Sequence, residues 1–182
     1  MKHILMMVFS LLFFLGVNLA NAGDFDWDVA GGVAINDSGT FSIGYGGEGT
    51  GEYQLVSKLN LICTLGIYTF TASSATVAAG LNINETDIEL LTGLKCYFTD
   101  MSNLRPYMFG QAGLSDLFGN ENISLYGISK NWSFINAEIS GGVGLNFGLD
   151  DTKKIEILIQ AKVAEVMYNN ANFAYFPIVV GA

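Results

Sequence analysis

Between Phe134 and Phe147 the chain reads FINAEISGGVGLNF, with its positions in strict alternation. Ile135, Ala137, Ile139, Gly141, Val143, Leu145 and Phe147 make one set; Asn136, Glu138, Ser140, Gly142, Gly144 and Asn146 make the other. A period of two is the mark of a β-strand with two unlike faces. The polar face is unusual. Apart from Glu138 it is small, carrying Gly and Ser where a water-facing strand would carry Lys, Thr and Arg. Small residues with a few charges suit the crowded lumen of a narrow barrel, and the large apolar face then points outward into lipid.

The same alternation recurs along the chain and predicts eight strands. They are Asp26–Ile35, Phe41–Leu55, Leu59–Phe70, Thr86–Phe98, Arg105–Leu117, Phe134–Phe147, Lys154–Val166 and Phe173–Ala182. Strand five is the least clear, because Tyr107 and Phe109 alternate with Met108 and Ala112; Arg105 and Gln111 are placed inward. Between the strands, Asn36–Gly39 reads as a short turn, and the connections near 57, 101 and 151 read as tight turns. Thr71–Glu85 and Phe118–Ser133 read as long polar loops, and Met167–Asn172 as a moderate one. Short turns alternating with longer loops are the pattern of an outer-membrane barrel with both termini in the periplasm. Aromatic residues gather towards strand ends, where interface girdles belong: Phe25, Trp27, Tyr53, Tyr68, Phe70, Tyr97, Phe98, Tyr107, Trp132, Phe134, Phe147, Phe173 and Tyr175.

Composition sharpens this expectation. Residues 1–22 read as a cleaved signal peptide: Lys2 supplies the positive start, Ile4–Val17 the apolar core and Ala20-Asn21-Ala22 the cleavage pattern. The mature chain, 23–182, is then one barrel domain beginning near Gly23. Removing Lys2 from the 8 basic residues leaves 7 against 17 acidic ones, a net charge of −10. That excludes a nucleic-acid footprint. The chain is 51% hydrophobic and only 14% charged, with 22 glycines, yet no later segment is apolar for long enough to cross a membrane as a helix. An all-β, eight-stranded, antiparallel up-and-down transmembrane barrel satisfies all of this. A soluble lipocalin-like lipid-binding barrel is the alternative, and should carry charge outside.

Three segments are similar to small outer-membrane barrels of the OmpA/OmpX and opacity types. They are Arg-Pro-Tyr-Met-Phe-Gly-Gln-Ala-Gly-Leu at 105–114, Gly-Gly-Val-Gly-Leu-Asn-Phe at 141–147 and Phe-Pro-Ile-Val-Val-Gly at 176–181. The resemblance implies residence in the outer membrane of a Gram-negative cell, among its lipid and lipopolysaccharide, after insertion by the barrel assembly machinery. It also implies a terminal aromatic residue. The sequence stops at Gly181-Ala182, about two residues short of one.

The charged lumen candidates are Glu48, Glu52, Glu89, Glu138 and Glu156 against Lys95, Arg105 and Lys162. They form either a polar path or, the reading preferred here, ion pairs filling a lumen too narrow to leave a charge unpaired. The single His is His3, inside the leader, so Ser/His and Cys/His catalysis is not expected, nor any enzymatic activity. No cofactor motif or metal-ligand spacing is present. Cys63 and Cys96 are expected on the outer face of adjacent strands. If 63 pairs with 96 they are near enough to bond; otherwise they are two small lipid-facing residues, the preferred reading. Asn84-Glu-Thr, Asn122-Ile-Ser and Asn131-Trp-Ser match a glycosylation pattern by chance. The expected role is structural or surface-interacting, with host or surface ligands contacted through 71–85 and 118–133. A narrow channel for small solutes is the alternative.

Overall fold

The structure is a computed structural model and describes residues 25–99, 104–123, 126, 128–149, 156–168 and 171–182. The expected leader at 1–22, the mature start near Gly23 and the turn at 150–153 lie outside them, as do parts of the connections at 99–104 and 167–172.

Eight strands form: β1 (Phe25–Asn36), β2 (Gly44–Val56), β3 (Leu59–Thr71), β4 (Leu81–Tyr97), β5 (Leu104–Ile123), β6 (Ile128–Gly148), β7 (Glu156–Tyr168) and β8 (Ala171–Gly181). Each runs antiparallel to the next, and β1 pairs with β8 from Ala30↔Gly181 to Asn36↔Tyr175, so the sheet closes into a barrel. The all-β, up-and-down architecture is the one the alternation predicts.

Alternation becomes inside and outside. On β3, Asn60, Ile62, Thr64, Gly66, Tyr68 and Phe70 are buried in the lumen, while Leu61 and Ile67 are exposed. Strand after strand presents large apolar residues to the surroundings: Val29, Ile67, Leu94, Met108, Val143, Ile159 and Ile178 are each more than two-fifths exposed. Among the described strand residues, only Asp116 and Glu165 carry charge outward. A water-soluble barrel would not expose such a belt. On β6 the belt runs from Ile135 to Phe147, ~40 Å along the strand and ~30 Å in height at the usual tilt.

Small residues on the inner face make room for large ones. Gly144 lies beneath the Tyr107 ring and Gly66 beneath Glu89, so a Cβ at either would collide with that side chain. The register that joins them also settles β5, where Arg105, Tyr107, Phe109, Gln111, Ser115 and Leu117 all share the inward face.

Several boundaries need correcting. The segment 71–85 is only partly a connection: β4 starts at Leu81, and the short helix α1 (Ser74–Ala78) sits between. Ser73 caps α1 by accepting from the Thr76 amide at 3.3 Å. Its own amide donates to the Thr40 carbonyl at 2.8 Å, tying this loop to the one before it. That earlier connection is also longer than the turn expected at Asn36–Gly39, because β2 begins at Gly44 and Phe41 makes only an isolated bridge to Ala72.

The segment 118–133 is not a loop but mostly strand, since β5 continues to Ile123 and β6 starts at Ile128. The cause is a change of hydropathic phase. On the body of β4, Glu85, Asp87 and Glu89 point in and Ile88 and Leu90 point out; beyond Glu85 it is Leu81 and Ile83 that point in, and Asn82 and Asn84 that point out. The period of two persists while its polarity reverses.

The predicted aromatic girdle is also half inverted. Tyr68, Phe70, Tyr97, Tyr107 and Tyr175 are buried in the lumen. Phe70, Phe173 and Tyr175 pack with ring centroids 5.5–5.7 Å apart, with Phe41 and Trp132 against them, and this aromatic plug fills the lumen at the end bearing the long strands.

Gly144→Val should push Tyr107 from its seat and cost about 1–3 kcal/mol in urea unfolding from micelles. Gly110→Val, where nothing lies within 4 Å of the added Cβ, should change stability by less than about 0.5 kcal/mol.

Candidate functional site

Every charged residue that alternation placed in the lumen faces it, and the barrel wall brings them together in layers. Nearest the tight-turn end, Arg105 of β5 donates to Glu156 of β7 at 2.6 Å, and Asn146 of β6 donates to Glu156 at 3.0 Å. This pair is part-exposed, at 25% and 15%. Above it, Lys95 of β4 meets Glu52 of β2 and stands 3.5 Å from Asp28 of β1. Its ammonium lies 4.0 Å from the centroid of the Tyr107 ring, a desolvated cation on an aromatic face. Glu52 accepts from the Asn60 amide at 2.8 Å and from the Tyr97 hydroxyl at 3.2 Å.

A neutral layer follows. Gln111 donates to Thr64 at 2.6 Å and accepts from Ser140 at 3.4 Å, and Thr50 and Thr64 share a hydrogen bond of 3.0 Å. The cavity here, lined by Asp28, Thr50, Lys95 and Gln111 among others, measures ≈ 10 Å³, space for about one water.

The upper layer is the most acidic. Lys162 of β7 bridges Glu48 of β2, at 2.9 Å, and Glu89 of β4. Gln160 and Tyr68 also donate to Glu48, at 2.5 and 2.9 Å. Beside them Asp87, Glu89 and Glu138 converge on the Tyr175 hydroxyl, at 2.9, 2.8 and 3.2 Å. One hydroxyl has one proton to donate. Ser115 serves Asp87 and Lys162 serves Glu89. Glu138 Oε2 is buried and has no partner among the described residues. Oxygens of these three carboxylates lie within 4.8 Å of one another, a spacing that hard cations also accept; here a phenol sits on an oxygen of each.

Sequence reading singled out eight of these charges and passed over Asp28 and Asp87, which share the inward parity of β1 and β4. It also missed the phenols of Tyr68, Tyr97 and Tyr175, donors that serve the carboxylates, and that of Tyr107, which donates to the Gln160 amide oxygen at 3.0 Å. The signal was available: each has lumen parity on its strand.

Cys63 and Cys96 are not cross-strand neighbours. Register sets Cys63 opposite Thr92 and Cys96 opposite Leu59, an offset of four residues or ~13 Å. Both thiols are free. A pairing of 63 with 96, the less favoured alternative, would centre the hairpin between Ala79 and Gly80; the register centres it between Val77 and Ala78.

No family model and no curated protein matches the sequence. Solved structures do match. Neisserial surface protein A superposes with a TM-score of 0.57 at 12% identity, covering 86% of this chain and 92% of that one. The N-terminal barrel domain of Pseudomonas aeruginosa OprF gives 0.53 at 16% identity, covering 87% and 96%. Ail, the attachment invasion locus protein of Yersinia pestis, gives 0.53 at 12%, covering 86% and 94%. The fold is that of the small outer-membrane barrels. At these identities the likeness concerns the fold; the lumen contacts above are this chain's own.

Lys162→Met leaves Glu48 and Glu89 buried without their cation, and should cost about 3–5 kcal/mol in urea unfolding from micelles. Arg105→Met, at a part-exposed pair, should cost about 1 kcal/mol or less.

Proposed function

We propose that the protein is an outer-membrane barrel that works by contact at the cell surface rather than by conduction or catalysis. The extension of β4, β5 and β6 past the belt carries this reading. β6 pairs with β7 only from Ala137 onward, so residues 128–136 stand beyond the barrel wall, paired on one side to β5. A rigid, strand-built projection is a contact element; a pore has no need of one.

The lumen supports the same reading. Conduction needs a continuous polar path, whereas here the ion pairs are interlocked with phenols, the cavity holds about one water, and aromatic rings fill one end. Catalysis finds no histidine among the described residues, and fixed donors hold Glu48, Glu52, Asp87 and Glu89. Ail is named for attachment and invasion, and one of its structures contains the heparin analogue sucrose octasulfate. A contact role carries over more readily than that ligand, since a mature chain of net charge −10 would repel a polyanion.

In planar bilayers the purified barrel should show no discrete conductance steps. An Asn131→Cys variant, made with Cys63 and Cys96 replaced by Ala, should react with a membrane-impermeant maleimide on intact cells. Stable unitary conductance would favour the narrow channel, and a variant that stays unlabelled would remove the projection from the cell surface.

A further inference from the structure

The outward side of this projection has a chemistry that its amide content alone does not reveal. Register stacks its side chains in rows across three strands. Asn82, Asn122 and Ser129 make one row; Asn84, Asn120 and Asn131 the next; Thr86, Phe118 and Ser133 the third. At ~4.8 Å between strands and ~6.7 Å between alternate residues, the field covers ~10 by ~13 Å. None of the nine is charged. Eight carry an amide or a hydroxyl, and the ninth, Phe118, is 37% exposed.

These groups are not spent on one another. Asn84 donates weakly to Asn120 at 3.4 Å. Asn82, Asn122 and Asn131 have no side-chain partner within the protein among the described residues. Their amides each offer two donors and an acceptor to whatever lies outside.

Two of the three glycosylation-like triplets are by-products of this face. In a strand, residues i and i+2 share a side, so Asn84 with Thr86, and Asn131 with Ser133, spell Asn-x-Ser/Thr whenever one face is built of amides and hydroxyls.

What such a face suits follows from its chemistry. Sugar rings present hydroxyls that both donate and accept, together with an apolar C–H side that stacks on an aromatic ring. Anionic headgroups need cations, and this face has no Lys or Arg; Asp116 at its lower border, bonded to Ser133 at 2.9 Å, repels phosphate. Location names the source. Directly below the third row come Ile88 and Ile135, then Leu90, Leu114 and Ala137, outward residues of the lipid-facing belt. The array therefore faces sideways, where lipid tails give way to the headgroups of the outer leaflet.

We propose that this face docks neutral sugars in the headgroup of the glycolipid that surrounds the barrel in the outer leaflet. The assignment rests on the surface-contact reading and names its partner. The test is binding of the full micelle-held chain to that glycolipid carrying its core oligosaccharide, and to the same lipid stripped of core sugars. The sugar-bearing form should bind at least about tenfold tighter. Asn82→Ala/Asn122→Ala/Asn131→Ala, which alters side chains without internal partners and should keep the boiling-dependent gel shift of a folded barrel, should erase that preference. Soluble core oligosaccharide should compete only weakly, because the belt holds the lipid in place. Equal binding of the two lipids overturns the proposal, as does a folded triple variant that keeps the preference. Conductance recorded on the same preparation separates the two readings. A conducting barrel defeats surface contact, whereas a silent barrel indifferent to core sugars defeats only the sugar assignment.

Discussion

Hydrocarbon offers no hydrogen bonds, and the architecture of this protein follows from that deficiency. Backbone amides and carbonyls of a strand in lipid must be paired on both sides, so eight strands close on themselves through β1 and β8. Closure leaves polar side chains a single place to go. They turn inward, where water is almost as scarce as in the lipid, and must then satisfy one another. The lumen is accordingly a set of matched groups: Lys162 between Glu48 and Glu89, Lys95 against Glu52, Arg105 against Glu156. Carboxylates outnumber cations, and Tyr68, Tyr97, Tyr175, Asn60 and Ser115 supply the further donors. Glycine enters as spacing, because the wall must thin wherever a ring or a long carboxylate crosses the lumen.

Solvent on the outer side decides where this logic stops. Along β4 and β6 the outward face changes from apolar to amide and hydroxyl at one register row, between Ile88 and Thr86 and between Ile135 and Ser133, while β5 carries Asp116 below that row and Phe118 above it. Below it, apolar residues face out and charges face in. Above it, amides and hydroxyls face out beside Phe118, while Leu81, Ile83 and Trp132 share the inward side with Glu85, Glu121 and Lys130. A strand that passes from lipid to water must exchange its faces in this way without changing its backbone. Reversal therefore marks the border of the belt more sharply than the aromatic residues do, many of which serve as lumen plug.

That reversal also explains what the sequence made legible. Strand number, direction, closure and the inward charges follow from period two alone, since side-chain parity is all they require. Lengths did not follow. Residues 81–85, 118–123 and 128–133 read as loop because their amides and serines were weighed by polarity, and polarity had changed sides. Register across the β3–β4 hairpin was out of reach for a different reason. A long connection leaves the offset of the two strands open, and the register places Cys63 and Cys96 four residues apart. Phenols were overlooked because tyrosine near a strand end fits a girdle as well as a lumen, and only cross-strand partners tell the two apart.

The most direct test of the account is a cysteine scan of β6 from Asn131 to Val143, in a protein with Cys63 and Cys96 replaced by alanine and held in bilayers. Each position would carry a spin label whose exposure to oxygen and to an aqueous nickel complex is measured. Labels at 135, 137, 139 and 143 should favour oxygen, and those at 131 and 133 nickel, with the change falling between 133 and 135. Aqueous exposure at 137–143, or an oxygen maximum at the even positions, would contradict both the barrel's inside-out assignment and the border on which the surface reading stands.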